Sequence, residues 1–308
     1  MKKAVVRLIL LGTSLVIISY YPPLAQADLH EAWVSTCADG DTIQVKFSRE
    51  PDELKGIRYL LASAPEEDDC LGPEAKDYNC SLVSKGQIWL EIEPRNGDYL
   101  KDSRGRILAY AYLDPEGTDM VNLQLVQTGY AKIDVRGIKD DTPSDDFRVK
   151  YLDQFIQAQL EAVKARRNLW RSCDAHEDSH LAIAFIKFWG GDEVVYILNR
   201  GEEGIDLTNN WKLSDDDGNE IALTQAFTMG EQCFLPPGGV LRVHSGPMVS
   251  EEKRKSFESC GDLIVDFYWT RKKVWNNDGD DAFLINSQDE TVYRYCYPPF
   301  SRRCRQSS

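Results

Sequence analysis

The periodicity of apolar residues changes near residue 174, and this change most constrains how the chain folds. Before residue 174, short alternating stretches typical of strands are mixed with helical stretches. Beyond it the helical periodicity disappears, and short apolar runs recur between turns that contain Gly and Pro. The chain of 308 residues is therefore predicted to form two β-rich domains, in keeping with a size of about 150 residues per domain.

The first domain is predicted to contain five strands and three helices. The strands cover residues 33–36, 42–47, 57–61, 88–92 and 107–113. The helices begin at Gly72 and cover residues 121–128 and 147–168. Five strands with helices after the third and the fifth favour a small closed barrel of the OB type. The second domain has about seven short strands over residues 181–297, which predict an immunoglobulin-like β-sandwich. The predicted fold class is thus mainly β.

Residues 1–27 have the three parts of a secretory signal peptide. Three cations precede an apolar run over residues 8–18, and Ala25-Gln26-Ala27 is a small-residue cleavage site. That run is too short to favour a membrane span. We therefore expect a secreted or periplasmic protein with no transmembrane segment after cleavage near Ala27. The remaining boundaries are then 28–173 for the first domain, 174–180 for a linker, 181–297 for the second domain and 298–308 for a C-terminal tail.

All eight cysteines follow the predicted cleavage site, and they divide equally between the two domains. An even number of cysteines in an exported protein predicts disulfides. The short intervals favour the pairs Cys70–Cys80 and Cys296–Cys304. Sequence alone leaves the other pairings open.

The formal net charge of −14 excludes a broadly basic nucleic-acid-binding protein. Any binding of phosphate must come from a few placed arginines or from a metal. The candidates are Arg58 and Arg106, because the planar guanidinium matches phosphate oxygens. Glu66 is a carboxylate suited to activating water. Asp41, at the start of a predicted strand, is suited to a hard cation.

Residues 33–170 resemble a staphylococcal nuclease-like (thermonuclease) domain. The matching segments are Asp39-Gly40-Asp41-Thr42, Arg58-Tyr59-Leu60-Leu61, Pro65-Glu66, Gly72-Pro73-Glu74-Ala75, Arg104-Gly105-Arg106-Ile107, Gly129-Tyr130-Ala131 and Asn168-Leu169-Trp170. The resemblance implies an OB barrel and a calcium-dependent endonuclease for DNA and RNA that leaves 3′-phosphate ends. The expected function is that of a secreted, metal-dependent endonuclease.

The resemblance also assigns roles by position. Glu66 matches the general base of the family, and Arg58 and Arg106 match the arginines that bind the scissile phosphate. Asp41 matches a calcium ligand, and Ala64 matches a position that binds the metal through its backbone carbonyl.

Ser63 stands where the family usually has a second metal-binding aspartate. One carboxylate fewer predicts weaker binding of calcium. Magnesium and manganese are the alternative ions.

Residues 181–297 resemble a lamin tail domain. The resemblance is carried by Glu193-Val194-Val195-Tyr196-Ile197-Leu198-Asn199, Trp211-Lys212-Leu213, Pro236-Pro237-Gly238-Gly239 and Trp275-Asn276-Asn277-Asp278-Gly279-Asp280-Asp281. It implies an immunoglobulin-like sandwich without catalytic residues. It further implies an adaptor or targeting role toward a protein or surface partner.

Two weaker patterns have simpler interpretations. The pentad from His176 to His180 fits the HExxH zinc pattern, but that chemistry requires a helix, and Asp and Ser disfavour one here. Basic clusters at 253–255 and 271–273, and Arg302, Arg303 and Arg305 in the tail, are candidate contacts for a polyanion or ordinary solvated charge. The alternative to an enzyme is a non-catalytic barrel that binds nucleic acid or protein.

Overall fold

A computed structural model of the protein describes residues 28–306 except 49, 137–145, 175, 177 and 224–231. The predicted signal peptide lies outside the described residues. The chain is mainly β, with a closed barrel in the first part and further sheets in the second. Within the described residues, no helix has the length and apolar character needed to cross a membrane.

Five strands of the first domain close into a barrel in the order β1-β2-β3-β7-β4. Strands β3 and β7 pair in parallel, and the other neighbours are antiparallel. The strands of this domain are β1 (Leu29–Asp39), β2 (Thr42–Phe47), β3 (Glu50–Tyr59), β4 (Gln87–Ile92), β5 (Pro94–Arg95), β6 (Asp98–Tyr99) and β7 (Ile107–Tyr112). Along β2, Ile43, Val45 and Phe47 are buried, as their alternation predicts. The predicted OB-type barrel is confirmed.

Four helices accompany the barrel: α1 (Gly72–Leu82), α2 (Val121–Gln127), α3 (Leu152–Lys164) and α4 (Leu169–Ser172). Helix α3 begins later than its predicted start at residue 147. The Tyr110 hydroxyl bonds to the backbone carbonyls of Phe147 and Arg148 at 3.2 and 2.9 Å. Those carbonyls would otherwise accept the helical N–H bonds of residues four positions later.

The second domain consists mainly of two sheets with the strand orders β15-β16-β14-β9-β8 and β12-β11-β17-β18. The strands are β8 (Leu181–Lys187), β9 (Glu193–Asn199), β10 (Ile205–Asp206), β11 (Lys212–Ser214), β12 (Glu220–Ala222), β13 (Phe234–Leu235), β14 (Val240–Ser245), β15 (Phe257–Glu258), β16 (Ile264–Thr270), β17 (Asp280–Ile285) and β18 (Thr291–Tyr297). A short helix, α5 (Arg302–Gln306), follows the last strand. This arrangement agrees with the predicted β-sandwich.

Helix α3 joins the two domains. Its buried Gln159 accepts a hydrogen bond from the N–H of Ile133 at 2.7 Å and donates one to the carbonyl of Ala184 at 2.5 Å. Asp174, between the domains, forms an ion pair with the buried Arg200 at 2.7 Å. The domains therefore share polar contacts as well as a continuous apolar core.

Each domain holds two disulfides. Cys37 pairs with Cys80 and Cys70 with Cys173. In the second domain the pairs are Cys233–Cys260 and Cys296–Cys304. The predicted pair Cys296–Cys304 is confirmed, and the predicted pair Cys70–Cys80 is wrong. Helix α1 runs between residues 70 and 80, and a rise of about 1.5 Å per residue separates them by more than a disulfide spans.

Candidate functional site

A cavity of about 530 Å³ opens at one end of the barrel. It is lined by Arg58, Ser63, Ala64, Glu66 and Arg106, which are all but one of the residues predicted for the site. The remaining residue, Asp41, is 2% exposed and lies directly behind this group. The structure therefore brings the predicted set together.

The parallel pairing of β3 with β7 places Arg58 opposite Leu108, so the two arginines lie on the same face of the sheet, two positions apart. In this register Ile57 lies opposite Ile107, so Arg58 and Arg106 flank the same pair at one edge of the barrel. A Cβ atom on Gly56 would lie 3.3 Å from Cγ of Arg106. Glycine at this position therefore leaves room for the stem of the arginine.

Arg106 is held by Asp102 and Thr42. Its Nε and Nη2 atoms each lie 2.7 Å from Oδ2 of Asp102, and Nη1 donates to Oγ1 of Thr42 at 3.0 Å. Although burial raises the pKa of Asp102, hydrogen bonds from Arg106 dominate, and the net shift is downward. A guanidinium has five N–H donors, and these contacts use three of them. Two donors remain for a phosphate.

Arg58 is the more deeply set of the two arginines. It forms an ion pair with Asp41, donates to Oγ of Ser63 at 3.0 Å and lies 3.7 Å from Oδ2 of Asp134. Burial lowers its pKa to about 10, with Asp134 acting in the opposite direction and Arg106 adding to the decrease. Arg58 is still a cation at neutral pH.

Asp134 and Arg136 belong to this group, although sequence reasoning did not select them. Nη2 of Arg136 lies 2.6 Å from Oδ2 of Asp134 and donates to Oγ of Ser63 at 3.4 Å. Both residues line the cavity. Their spacing of two residues in an extended segment, just beyond Gly129-Tyr130-Ala131, is the signal that would have found them.

Glu66 lies in the turn between β3 and α1, with its side chain 54% exposed. The Asp69 carboxylate accepts a hydrogen bond from the N–H of Glu66 at 3.1 Å. A Cβ atom on Gly72 would lie 1.9 Å from the carbonyl oxygen of Glu66, so only glycine fits there. The disulfide of Cys70 with Cys173 ties this turn to the end of α4. The turn that carries the carboxylate is thus fixed at several points.

The predicted metal ligands do not fit a calcium ion in this arrangement. The Asp41 carboxylate accepts hydrogen bonds from the N–H of Ala64 and the hydroxyl of Thr42, both at 2.9 Å, and it also pairs with Arg58. Calcium takes six to eight oxygen ligands. Among the described residues, no group of three or more His, Cys, Asp or Glu is placed to hold a metal. Calcium dependence therefore stays a prediction, and we assign no step to a metal.

The cavity is positive although the chain is acidic. Its lining contains six cationic residues, Arg58, Lys101, Arg104, Arg106, Arg136 and Arg148, against four acidic ones, Asp39, Glu66, Asp102 and Asp134. An excess of positive charge in a concave site attracts polyanions even when the whole molecule carries a net negative charge.

Among the described residues, the pentad at 176–180 and the basic cluster at 253–255 show no arrangement that would make either a site. Neither His176 nor His180 lies in a helix, so the zinc pattern lacks the geometry it requires, and Glu177 lies outside the described residues. In the basic cluster at 253–255, Lys253 pairs with Glu258 at 2.8 Å and Arg254 with Glu251 at 2.9 Å. Much of the charge of this cluster is therefore neutralised locally.

The fold defines a class of two-domain β protein, in which an OB-type barrel precedes an immunoglobulin-like sandwich. A family model described as Staphylococcal nuclease homologue matches residues 56–172. A second, described as Lamin Tail Domain, matches residues 175–298. The chain therefore consists of a staphylococcal nuclease-like domain followed by a lamin tail domain, and both predicted resemblances are confirmed.

Curated relatives match the nuclease-like part. The SPbeta prophage-derived endonuclease YokF of Bacillus subtilis (strain 168) is 30% identical over 149 residues, which cover 46% of this chain and 45% of that protein. Endonuclease YncB of the same organism is 30% identical over 151 residues, covering 47% of this chain and 64% of the relative. Thermonuclease of Staphylococcus hyicus is 27% identical over 183 residues, covering 55% of this chain and 99% of the relative. The chain thus spans less than two thirds of each Bacillus protein.

Proposed function

We propose that this protein is an endonuclease that hydrolyses phosphodiester bonds of DNA or RNA in the cavity of its barrel domain. The observation that carries the proposal is the convergence of Arg58, Arg106 and Glu66 on one positive cavity. The endonuclease names of the two Bacillus relatives support the same activity.

The chemistry follows from the positions of these side chains. Arg58 and Arg106 bind the phosphate oxygens and stabilise the negative charge that develops on them as water attacks phosphorus. Glu66, on the open side of the cavity, takes the proton from that water. Following the resemblance, we propose that the bond broken is P–O5′. The 5′-oxygen leaves as a hydroxyl that takes its proton from solvent water, and the other product carries a 3′-phosphate.

We further propose that residues 1–27 direct export and are removed near Ala27. The four disulfides fit an oxidising compartment. In this proposal the mature protein acts outside the cytosol, and its lamin tail domain binds a protein or surface partner.

The test is degradation of supercoiled plasmid DNA and of RNA by the full chain, with calcium and with EDTA. We expect Glu66→Gln to lower the cleavage rate about 10²- to 10⁴-fold, the usual contribution of a general base. Glu67→Gln is the matched control, because Glu67 is an exposed neighbour outside the cavity lining. The control should cleave within about twofold of wild type, as expected for a surface substitution.

A wild-type chain that cleaves no faster than Glu66→Gln in any of these conditions overturns the enzymatic proposal. The barrel would then be a binding module for nucleic acid or protein, which is the alternative from the sequence. The calcium and EDTA arms separately decide whether activity requires a metal.

A further inference from the structure

A second cavity, of about 390 Å³, lies between the two domains. This volume is within the range of small-ligand sites, about 300–1,000 Å³. Lys132 and Trp170 of the barrel domain line it together with Tyr293 of the second domain and Phe300 of the C-terminal tail. Phe300 also lines the catalytic cavity, so the two cavities adjoin at its ring.

Lys132 supplies a cation to this second cavity. Within the described residues its ammonium makes no hydrogen bond or ion pair, and it lies 4.6 Å from the ring centroid of Trp170 and 5.8 Å from that of Phe300. Burial lowers the pKa of Lys132, and the Asp174 charge partly opposes this effect. A partly desolvated ammonium in a cavity is stabilised by an anion that enters it.

Lys132 is also directly connected to the catalytic group. Its backbone exchanges two hydrogen bonds with that of Ser63, both at 2.9 Å. The hydroxyl of Ser63 in turn accepts from Arg58 at 3.0 Å. The backbone that carries Lys132 is therefore paired with the residue that contacts Arg58.

Phe300 is held in place by contacts that cross between the domains. The disulfide of Cys296 with Cys304 closes the segment that contains it. Arg305, on the following helix, lies 3.1 Å from Asp69 and 3.8 Å from Glu66 of the nuclease-like domain. The contact to Glu66 is long and exposed, so it does not hold the carboxylate in one position. The shorter contact of Arg305 with Asp69 places the C-terminal tail at the rim of the barrel cavity.

We infer that the interdomain cavity binds one nucleotide of a single-stranded nucleic acid, next to the phosphate that is cut. Lys132 binds a phosphate of the strand, and the half-buried ring of Phe300 stacks with a base. Stacking on a protein ring requires an unpaired base, which selects single strands over duplexes. The lamin tail domain is then part of the substrate-binding surface. This inference rests on the proposed nucleic-acid substrate.

The test measures binding in the absence of turnover. The full chain carrying Glu66→Gln is titrated with a short fluorescein-labelled oligodeoxythymidine at several salt concentrations, and anisotropy gives Kd. Lys132→Met should lower the slope of log Kd against log salt by about 0.7, the value for one phosphate contact on a single strand. Lys132→Arg should restore that slope, because it keeps the charge.

Phe300→Ala should weaken binding about tenfold without changing the slope, because stacking releases no counterions. Phe234→Ala is the matched control, since Phe234 is an exposed phenylalanine of the second domain that lines neither cavity. The control should change neither quantity. In kinetics with Glu66 present, the Phe300→Ala loss should fall on KM more than on kcat.

An unchanged salt slope in Lys132→Met, or an equal loss for single-stranded and duplex probes in Phe300→Ala, overturns the inference. A third outcome also overturns it: inorganic phosphate displaces the oligonucleotide from wild type, and Phe300→Ala binds the oligonucleotide as tightly as wild type does. The cavity would then be a site for a free anion and not for a nucleotide. If the slopes change as expected but wild type cleaves nothing, the subsite stands and the proposed function fails. If wild type cleaves and the slopes do not change, the proposed function stands and the subsite fails.

Discussion

Ser63 determines how much negative charge lies beside Asp41. Its hydroxyl accepts hydrogen bonds from Arg58 and Arg136 where the nuclease family usually has an aspartate. The result is a neutral hydroxyl between two guanidinium groups, at a position where an aspartate would add a negative charge.

Ser63→Asp should therefore increase stimulation of cleavage by calcium. A second carboxylate beside Asp41 adds the ligand charge on which calcium affinity depends. The measurement is cleavage rate against calcium concentration, and we expect calcium to stimulate Ser63→Asp about tenfold more than wild type, in which the Asp41 carboxylate is already paired with Arg58, if the added carboxylate is worth about 1.4 kcal/mol. Ser63→Asn is the uncharged control. Equal calcium curves for all three proteins would show that this position does not contribute to a cation site.

Asp280 gives a pH dependence that belongs to a single residue of the second domain. It is fully buried, and burial raises its pKa to about 6, although backbone N–H groups of Asn276 and Asp281 oppose the shift. Between about pH 4 and pH 6, the Asp280 carboxyl therefore keeps its proton in the folded state and has lost it in the unfolded state. The stability from this group is complete below about pH 4 and is lost as the pH rises through about 6.

Asp280→Asn should remove this loss, because asparagine does not ionise. Relative to wild type, the variant should gain about 1–3 kcal/mol in the free energy of unfolding at pH 8 compared with pH 4. Urea unfolding at the two pH values measures the difference. Asp262→Asn, at an exposed position, is the control. A variant whose stability relative to wild type is the same at both pH values would contradict the assignment.

At the scale of elements, the disulfides differ most in the length of chain they close. Cys70–Cys173 spans 103 residues and ties the turn of Glu66 to α4, whereas Cys296–Cys304 spans 8. Longer closed loops restrict the unfolded chain more strongly.

Replacing Cys70 and Cys173 by serine should cost about 5 kcal/mol, and the same change at Cys296 and Cys304 about 2.5 kcal/mol. Denaturant unfolding of both double variants compares the two losses. Far-UV circular dichroism before unfolding checks that each variant folds. Equal losses, or a larger loss for the short loop, would contradict the loop-length argument.

The elements themselves could largely be predicted, because strand alternation and turn residues are local signals. The barrel strands follow from alternation such as that of Ile43, Val45 and Phe47. The start of α3 could not be predicted, because it depends on the Tyr110 hydroxyl. The partner of Cys70 could not be predicted either, because it lies at the end of α4, far away in the sequence. Tertiary contacts decide such positions.

The same limit applies to the candidate site. Arg58, Glu66 and Arg106 were predicted because they stand in ordered motifs, and the structure places them on one cavity. Phe300 at the rim of that cavity could not be predicted, because no pattern near residue 300 indicates which domain it contacts.

At the scale of the whole molecule, local charge in the cavity differs in sign from the net charge. The chain carries −14 overall, while the cavity has six cationic and four acidic residues. In the proposed function, recognition of a polyanion therefore depends on short-range contacts, which salt screens over about 10 Å at 0.1 M. Phe300 lines both the barrel cavity and the interdomain cavity, so the inferred binding surface includes residues from both parts of the chain.

The proposed function requires that Arg106 and Glu66 act on one phosphate as a unit. A double-mutant cycle tests it, with kcat/KM for a single-stranded oligonucleotide measured in wild type, Arg106→Lys, Glu66→Gln and the double variant. Residues that act together show losses that do not multiply. We predict that the double variant is within about tenfold of the slower single variant, that is, within about 1.4 kcal/mol. A double variant that shows the full product of the two losses would contradict the claim.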